Sequence, residues 1–192
     1  MAFSSDFAFL DGPAEVVAPQ LLGRVLERTF ENKTLSGIIT EVEAYDQGDA
    51  ASHSFKGRSA RTEVMFSAPG YVYVYFTYGM HYCCNVVVGP KGTGAAVLIR
   101  ALEPVAGVSQ MTDRRHGRAI HELTNGPAKL CQALSINTEL NGHYLADTPL
   151  RLVPGRAINH HQIVQTTRIG ISKAQELPWR FYIRDNPYVS RL

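Results

Sequence analysis

Lysine is scarce in this chain, and no apolar run approaches the length of a membrane span. The N-terminal MAFSSDFAFLDG also lacks the basic start and long apolar stretch of a secretory signal, so a soluble intracellular protein with no membrane partner is expected. Cysteine is limited to Cys83, Cys84 and Cys131, an odd number with two adjacent. That spacing suits neither a disulfide framework nor a zinc site, and reduced packing residues with no metal or other cofactor are the expectation. Repeats, low-complexity tracts and an evident linker are missing, so one domain spanning residues 1–192 is expected. There is no large excess of one charge: the formal net charge of +2 is too small to establish nucleic-acid binding. The positive charge is mostly arginine, clustered at Lys56, Arg58 and Arg61 and again at Arg114, Arg115 and Arg118. Guanidinium forks suit phosphate oxygens, although solvated surface charge explains any one cluster equally well.

What the chain has in unusual measure is aromatic residues in the stretch YVYVYFTYGMHYCCN, from Tyr71 to Asn85. Val72, Val74 and Phe76 alternate with Tyr71, Tyr73 and Tyr75, so one face of a strand can sit on a core while the other presents phenol rings. Gly79 supplies the backbone freedom for a reversal, flanked by Tyr78 and Met80, and the pattern reads as a β-hairpin. Turn tips usually carry small polar residues; a large ring there needs a receiver, and stacked bases are one.

Elsewhere, AEVVAPQLL reads as a helix stopped by Gly23 and shortened or kinked by Pro19. RVLERTF and LSGIITEVEAY read as strands joined by the turn-rich ENKT. The polar segment DQGDAASHSFKGRSARTE reads as a functional loop. AAVLIRALEP completes an antiparallel meander with the hairpin, after which the pattern turns helical around VAGVSQMTDRR. NGPAKLCQALSI reads as a helix opened by Asn125, and PLRLV, IVQTTRIGI and WRFYIRD as short strands. The expected fold class is therefore α+β, a single mixed domain in which antiparallel strands dominate the middle.

In TEVEAY the alternation puts Glu41, Glu43 and Tyr45 on one face and Val42 and Ala44 on the other. With Val42 toward the core, Glu43 faces a cleft, where a carboxylate beside a tyrosine can act as a general base. His53 follows in the polar loop. Taken singly, each of these residues is better explained by an ordinary surface position.

Their order carries more. EVEAYDQGDAASHS, RTEVMFSAPGYVYVYFTYGMHYCCNVV, AVLIRALEP, LTNGPAKLCQALSIN and finally RIGI with PWRFYIRDNPYVS together resemble the 3-methyladenine (alkyladenine) DNA glycosylase family, from about Leu21 to the C-terminus. The resemblance implies a compact catalytic domain with a curved antiparallel sheet, from which the hairpin enters the DNA minor groove, acting as a monomer on damaged duplex DNA. It implies Glu43 as the general base that activates water, with Arg100 near that water and the flipped nucleotide. Tyr45, His53 and Tyr75 match walls of the pocket that stacks an extruded base, and Asn85 the position that disfavours the 2-amino group of guanine. Tyr78 matches the residue that fills the gap in the duplex, with Met80 beside it in the groove. Lys56 and Arg58 are expected on phosphates.

The implied chemistry is monofunctional base excision by water attack; a lysine Schiff base is disfavoured because no lysine lies near Glu43 and Tyr45 in the motif. Two other readings account for some of the residues. A non-catalytic nucleic-acid-binding module explains the hairpin but not the Glu43, Tyr45 and His53 set. A small-molecule hydrolase explains that set but requires a buried hairpin tip.

Overall fold

Val72 and Val74 are fully buried, as their alternation with the tyrosines requires, and they start the hairpin at one edge of an eight-stranded antiparallel sheet. The computed structural model describes residues 5–77 and 79–191, so Tyr78, the expected wedge, lies outside the described residues. The strands are β1 (Val25–Phe30), β2 (Lys33–Tyr45), β3 (Val72–Thr77), β4 (His81–Val88), β5 (Ala95–Ala106), β6 (Leu150–Val153), β7 (Ile163–Thr166) and β8 (Arg180–Ile183). Their order is β3-β4-β5-β2-β1-β6, with β8 joining β2 beyond the end of β1 and β7 pairing with β8. Three helices, α1 (Ala14–Leu21), α2 (Val108–Arg114) and α3 (Pro127–Ala133), pack on this framework. The result is one mixed α/β domain.

The sheet has two differently dressed faces. Val42, Ala44, Val72, Val74, Val86, Val97 and Ile99 point to the main core, where they meet Leu21 of α1 and Leu130 and Leu134 of and just after α3. Burying each side chain of this size contributes about 1.5–3 kcal/mol before entropy is counted. The opposite face carries a smaller cluster of Met65, Phe66, Tyr73, Val87 and Ala96, beside which the functional groups collect.

Several local expectations are corrected. The β1–β2 turn is only Glu31 and Asn32, both at positive φ (49° and 58°), with Phe30 opposite Lys33. Two left-handed residues make the tight reversal that matches strand twist, so the strands extend further into ENKT than composition indicates. The helix after Pro104 begins later, because β5 continues to Ala106. The register shifts between Ser36 and Gly37, so that Val105 is the extra residue beside Pro104, and a bulge is a place where a sheet tolerates proline. The cap of α3 is Gly126 rather than Asn125, whose side chain instead accepts from Lys129 Nζ at 2.8 Å. RIGI is not a strand, since β7 stops at Thr166. Phe76, expected on the core face, lies beyond the core and is 47% exposed, its ring tilted against that of Tyr82 at 5.1 Å between centroids.

Bulges also position charge. Thr40 is the extra residue of β2 between the Ile39–Leu102 and Glu41–Ala101 pairs, and Arg100 is the extra residue of β5 between Ala101 and Ile99. A bulge re-aims the side chain it contains. Here it puts the Arg100 guanidinium beside Glu41 and Glu43, on the side away from Val42.

Candidate active site

Glu43 is completely buried, and every polar contact it makes comes from the wall of one pocket. Its Oε2 accepts the Tyr45 hydroxyl at 2.8 Å and faces Arg100 Nη1 at 3.1 Å. Its Oε1 accepts the backbone N–H of Ile169 at 2.7 Å. Two hydrogen bonds and one ion pair thus fix the carboxylate. Burial, with Glu43 beside it, holds the Tyr45 phenol far above its usual range and keeps it a donor. Arg100 is held above its ordinary value despite burial, because Glu43 and Glu41 both stabilise its charge.

The pocket encloses about 510 Å³ and is walled by Tyr45, His53, Tyr73, Tyr75, Cys83, Asn85, Arg100 and the segment from Ile169 to Lys173. This volume lies within the roughly 300–1,000 Å³ usual for ligand sites. His53 sits at its edge, with its ring 4.5 Å from that of Tyr75 and Nδ1 hydrogen-bonded to the Tyr73 hydroxyl at 3.0 Å. Burial and then the charge of Arg61 lower the His53 pKa, which favours the neutral ring. Asn85 is buried on β4 and donates from Nδ2 to the Tyr73 carbonyl at 2.9 Å. Among the described residues, no three His, Cys, Asp or Glu side chains are grouped to hold a metal ion.

The sequence model of the methylpurine-DNA glycosylase family matches residues 8–187. The chain belongs to this family. A protein of Carboxydothermus hydrogenoformans named "Putative 3-methyladenine DNA glycosylase" is 50% identical over 177 residues, covering 92% of this chain and 93% of its own. Relatives with the same name in Francisella tularensis subsp. tularensis (50% identical; 91% of this chain, 92% of theirs) and Methanoculleus marisnigri (48%; 96% and 97%) match over similar spans. The family and these names support DNA glycosylase activity in the repair of alkylated bases.

The methylpurine-DNA glycosylase fold brings Tyr45, His53, Tyr75, Asn85 and Arg100 to the wall of this single pocket, although they come from β2, β3, β4, β5 and a loop, while Glu43 does not line it and lies behind that wall, in contact with Tyr45, Arg100 and Ile169. Met80 stands at the hairpin tip, 69% exposed, which rules out the buried tip that the hydrolase reading requires. Gly79 beside it has φ 68° with open space around it, the conformation the turn needs. Lys56 and Arg58 lie outside the pocket lining, on the exposed loop; Arg58 is engaged by Glu63 at 3.3 Å and by the Phe66 ring. Arg61 lies closer to the site than either, with its guanidinium 5.7 Å from the Tyr75 ring.

Reading the sequence missed three contributors. Tyr73 forms a wall as well as belonging to the hairpin. Arg168 is fully buried against Asp49, with its guanidinium 4.6 Å from the Tyr45 ring and 5.3 Å from that of Trp179. Lys173 lines the pocket, although the motif that holds Glu43 and Tyr45 contains no lysine, as expected. Its separation from them in sequence hid it, whereas the aromatic alternation was a signal for Tyr73.

No helix among the described residues is long and apolar enough to cross a membrane.

Proposed function

We propose that this protein is a monofunctional glycosylase that extrudes alkylated purines, and neutral lesions such as hypoxanthine or ethenoadenine, from duplex DNA and hydrolyses the N-glycosidic bond with water. The observation that carries this reading is the buried Glu43 carboxylate, held by Tyr45, Arg100 and the Ile169 amide, three residues of the wall of an aromatic pocket. A water activated by Glu43 gives its proton to that carboxylate as its oxygen bonds to the anomeric carbon. The bond to the base breaks, and its electron pair leaves with the base. An N-alkylated purine leaves as a neutral molecule; a neutral lesion needs a proton or a hydrogen bond at the leaving base. General-base assistance is typically worth 10²–10⁴-fold in rate.

The remaining roles are those that the family resemblance implies. Extrusion costs a few kcal/mol, and stacking returns about 1–3 kcal/mol per base. Tyr45, His53 and Tyr75 supply the rings in the pocket, while Tyr78 and Met80 fill the vacated step from the minor groove. Asn85, tied to the Tyr73 carbonyl, is fixed where it obstructs a guanine 2-amino group. Lys56 and Arg58 hold phosphates and the enzyme acts as a monomer on damaged double-stranded DNA.

The test is release of free base, without added metal, from duplexes containing hypoxanthine, ethenoadenine or an alkylated purine. Glu43→Gln is expected to abolish release while retaining binding to the damaged duplex. Release at the wild-type rate by that variant removes Glu43 as the base. No release from any lesion by the unmodified protein leaves a nucleic-acid-binding module as the better reading. Borohydride trapping of a protein–DNA adduct would overturn the monofunctional assignment and point to Lys173.

A further inference from the structure

Glu41 makes more hydrogen bonds than Glu43 and does not itself line the pocket. It is completely buried. Its Oε1 accepts from Arg100 Nε at 3.0 Å, Arg180 Nε at 2.7 Å and the Ser190 hydroxyl at 2.9 Å, and its Oε2 accepts the Ser190 N–H at 2.6 Å. Arg100 therefore bridges two carboxylates, Glu41 through Nε and Glu43 through Nη1, and also reaches the Ser190 hydroxyl with Nη2 at 3.4 Å. Arg180 is held in turn by the Arg191 carbonyl. Two carboxylates and two guanidiniums close a buried cluster whose formal charge is zero.

From this arrangement we infer that Glu41, with Arg180 and Ser190, is a positioning and charge-balancing residue for the base-releasing step. The inference rests on the proposed roles of Glu43 and Arg100. Arg100 is a bulge residue without an opposed partner on β2, so strand pairing alone does not fix its side chain. Glu41 fixes it by holding Nε, which leaves Nη1 directed at Glu43. The balance of charge matters as much as the geometry. Glycosidic bond cleavage develops positive charge on the sugar, and buried charges are weakly screened. With Glu41 neutralised, two guanidiniums would face one carboxylate. The surplus charge would oppose the developing cation and draw electron density from the carboxylate that must take the proton from water. Glu41 thus acts on the chemistry through Arg100 without contacting substrate.

Single-turnover base release and duplex affinity, measured on a lesion the wild type excises, separate this from a role in folding alone. Glu41→Gln is expected to lower the rate on the order of 10²-fold, the scale of losing one preorganised electrostatic group, while duplex affinity changes little. Removing the surplus charge as well, in the double variant Glu41→Gln with Arg180→Gln, is expected to recover at least about tenfold of that loss. Ser190→Ala, which deletes one hydroxyl from the cluster, is expected to slow release several-fold at unchanged affinity. A wild-type rate in Glu41→Gln, or a loss that the double variant does not recover, overturns the inference. Should the Glu41 variants not fold, a wild-type rate in Ser190→Ala overturns it and a slowed rate at unchanged affinity sustains it. Glu43→Gln in the same assay separates the two ideas: if it releases base normally the general-base reading fails first, whereas if it alone is inactive only the role of Glu41 is lost.

Discussion

The amide of Ile169 donates to Glu43 Oε1 at 2.7 Å, and the residue before it, Arg168, is clamped to Asp49 with both side chains fully buried. The clamp also ties Arg168 to the carbonyls of Ala44 and Ala174, so the segment that presents the amide is fastened to the strand that carries Glu43. Asp49→Asn leaves a buried guanidinium without its counter-charge and is expected to cost about 3–5 kcal/mol, read from denaturant unfolding. Base release should also slow, although Asp49 does not line the pocket. A stability loss under about 1 kcal/mol would show that the clamp is replaceable.

His53 offers a test by titration. Burial lowers its pKa first and the Arg61 charge adds to the effect. Arg61→Gln removes the second cause, so the imidazole midpoint should rise toward the ordinary 6.5, followed by proton NMR. The sign for stability follows: a depressed folded-state value means that this group's contribution is complete above about 6.5 and is lost as pH falls through the folded midpoint. The variant should therefore lose less stability on acidification over that window. An unchanged midpoint would place the Arg61 charge too far from His53 to matter.

Much of this site was legible because it lies on strands. Alternation placed Glu41 and Glu43 opposite Val42, and it placed Tyr73 and Tyr75 opposite Val74, as found. What alternation cannot carry is an added residue. The bulges at Thr40 and Arg100 come from the fit of two strands to each other, and neither strand alone signals them. Position in the chain misled in another way: Arg168 reaches the Tyr45 ring, Ile169 reaches Glu43 and Lys173 reaches the pocket from more than a hundred residues away, on a segment with no strand pairing. Pro104 resembled a strand terminus because proline usually is one, and the bulge beside it removed that constraint.

The thiols are expected to be inert in the folded protein. Burial and then Cys83 push the Cys84 thiol up to about 12, and burial raises both Cys83 and Cys131. Since the thiolate is the reactive form, a disulfide reagent at neutral pH should modify the native protein slowly and all three sites rapidly after unfolding. Cys83 alone lines the pocket and should react first; a ligand in the pocket should protect it. Fast modification of Cys131 in the native state would contradict its burial.

The hairpin divides its work between its arms and its tip. Tyr75 stands in the pocket beside His53, whereas Met80 projects from the turn with most of its surface exposed. Tyr75→Ala should weaken capture of an extruded base by about 1–3 kcal/mol and change which lesions are accepted, because a stacking face is lost. Met80→Ala should leave the ranking of lesions intact and lower affinity for all duplexes alike, since a groove contact does not read the flipped base. Competition assays across several lesions separate the two: a shifted ranking belongs to the pocket, and a uniform loss belongs to the groove. Identical lesion rankings and affinities for the two variants would mean that the arm and the tip meet the same part of the DNA, against the separation seen between the aromatic wall and the exposed turn.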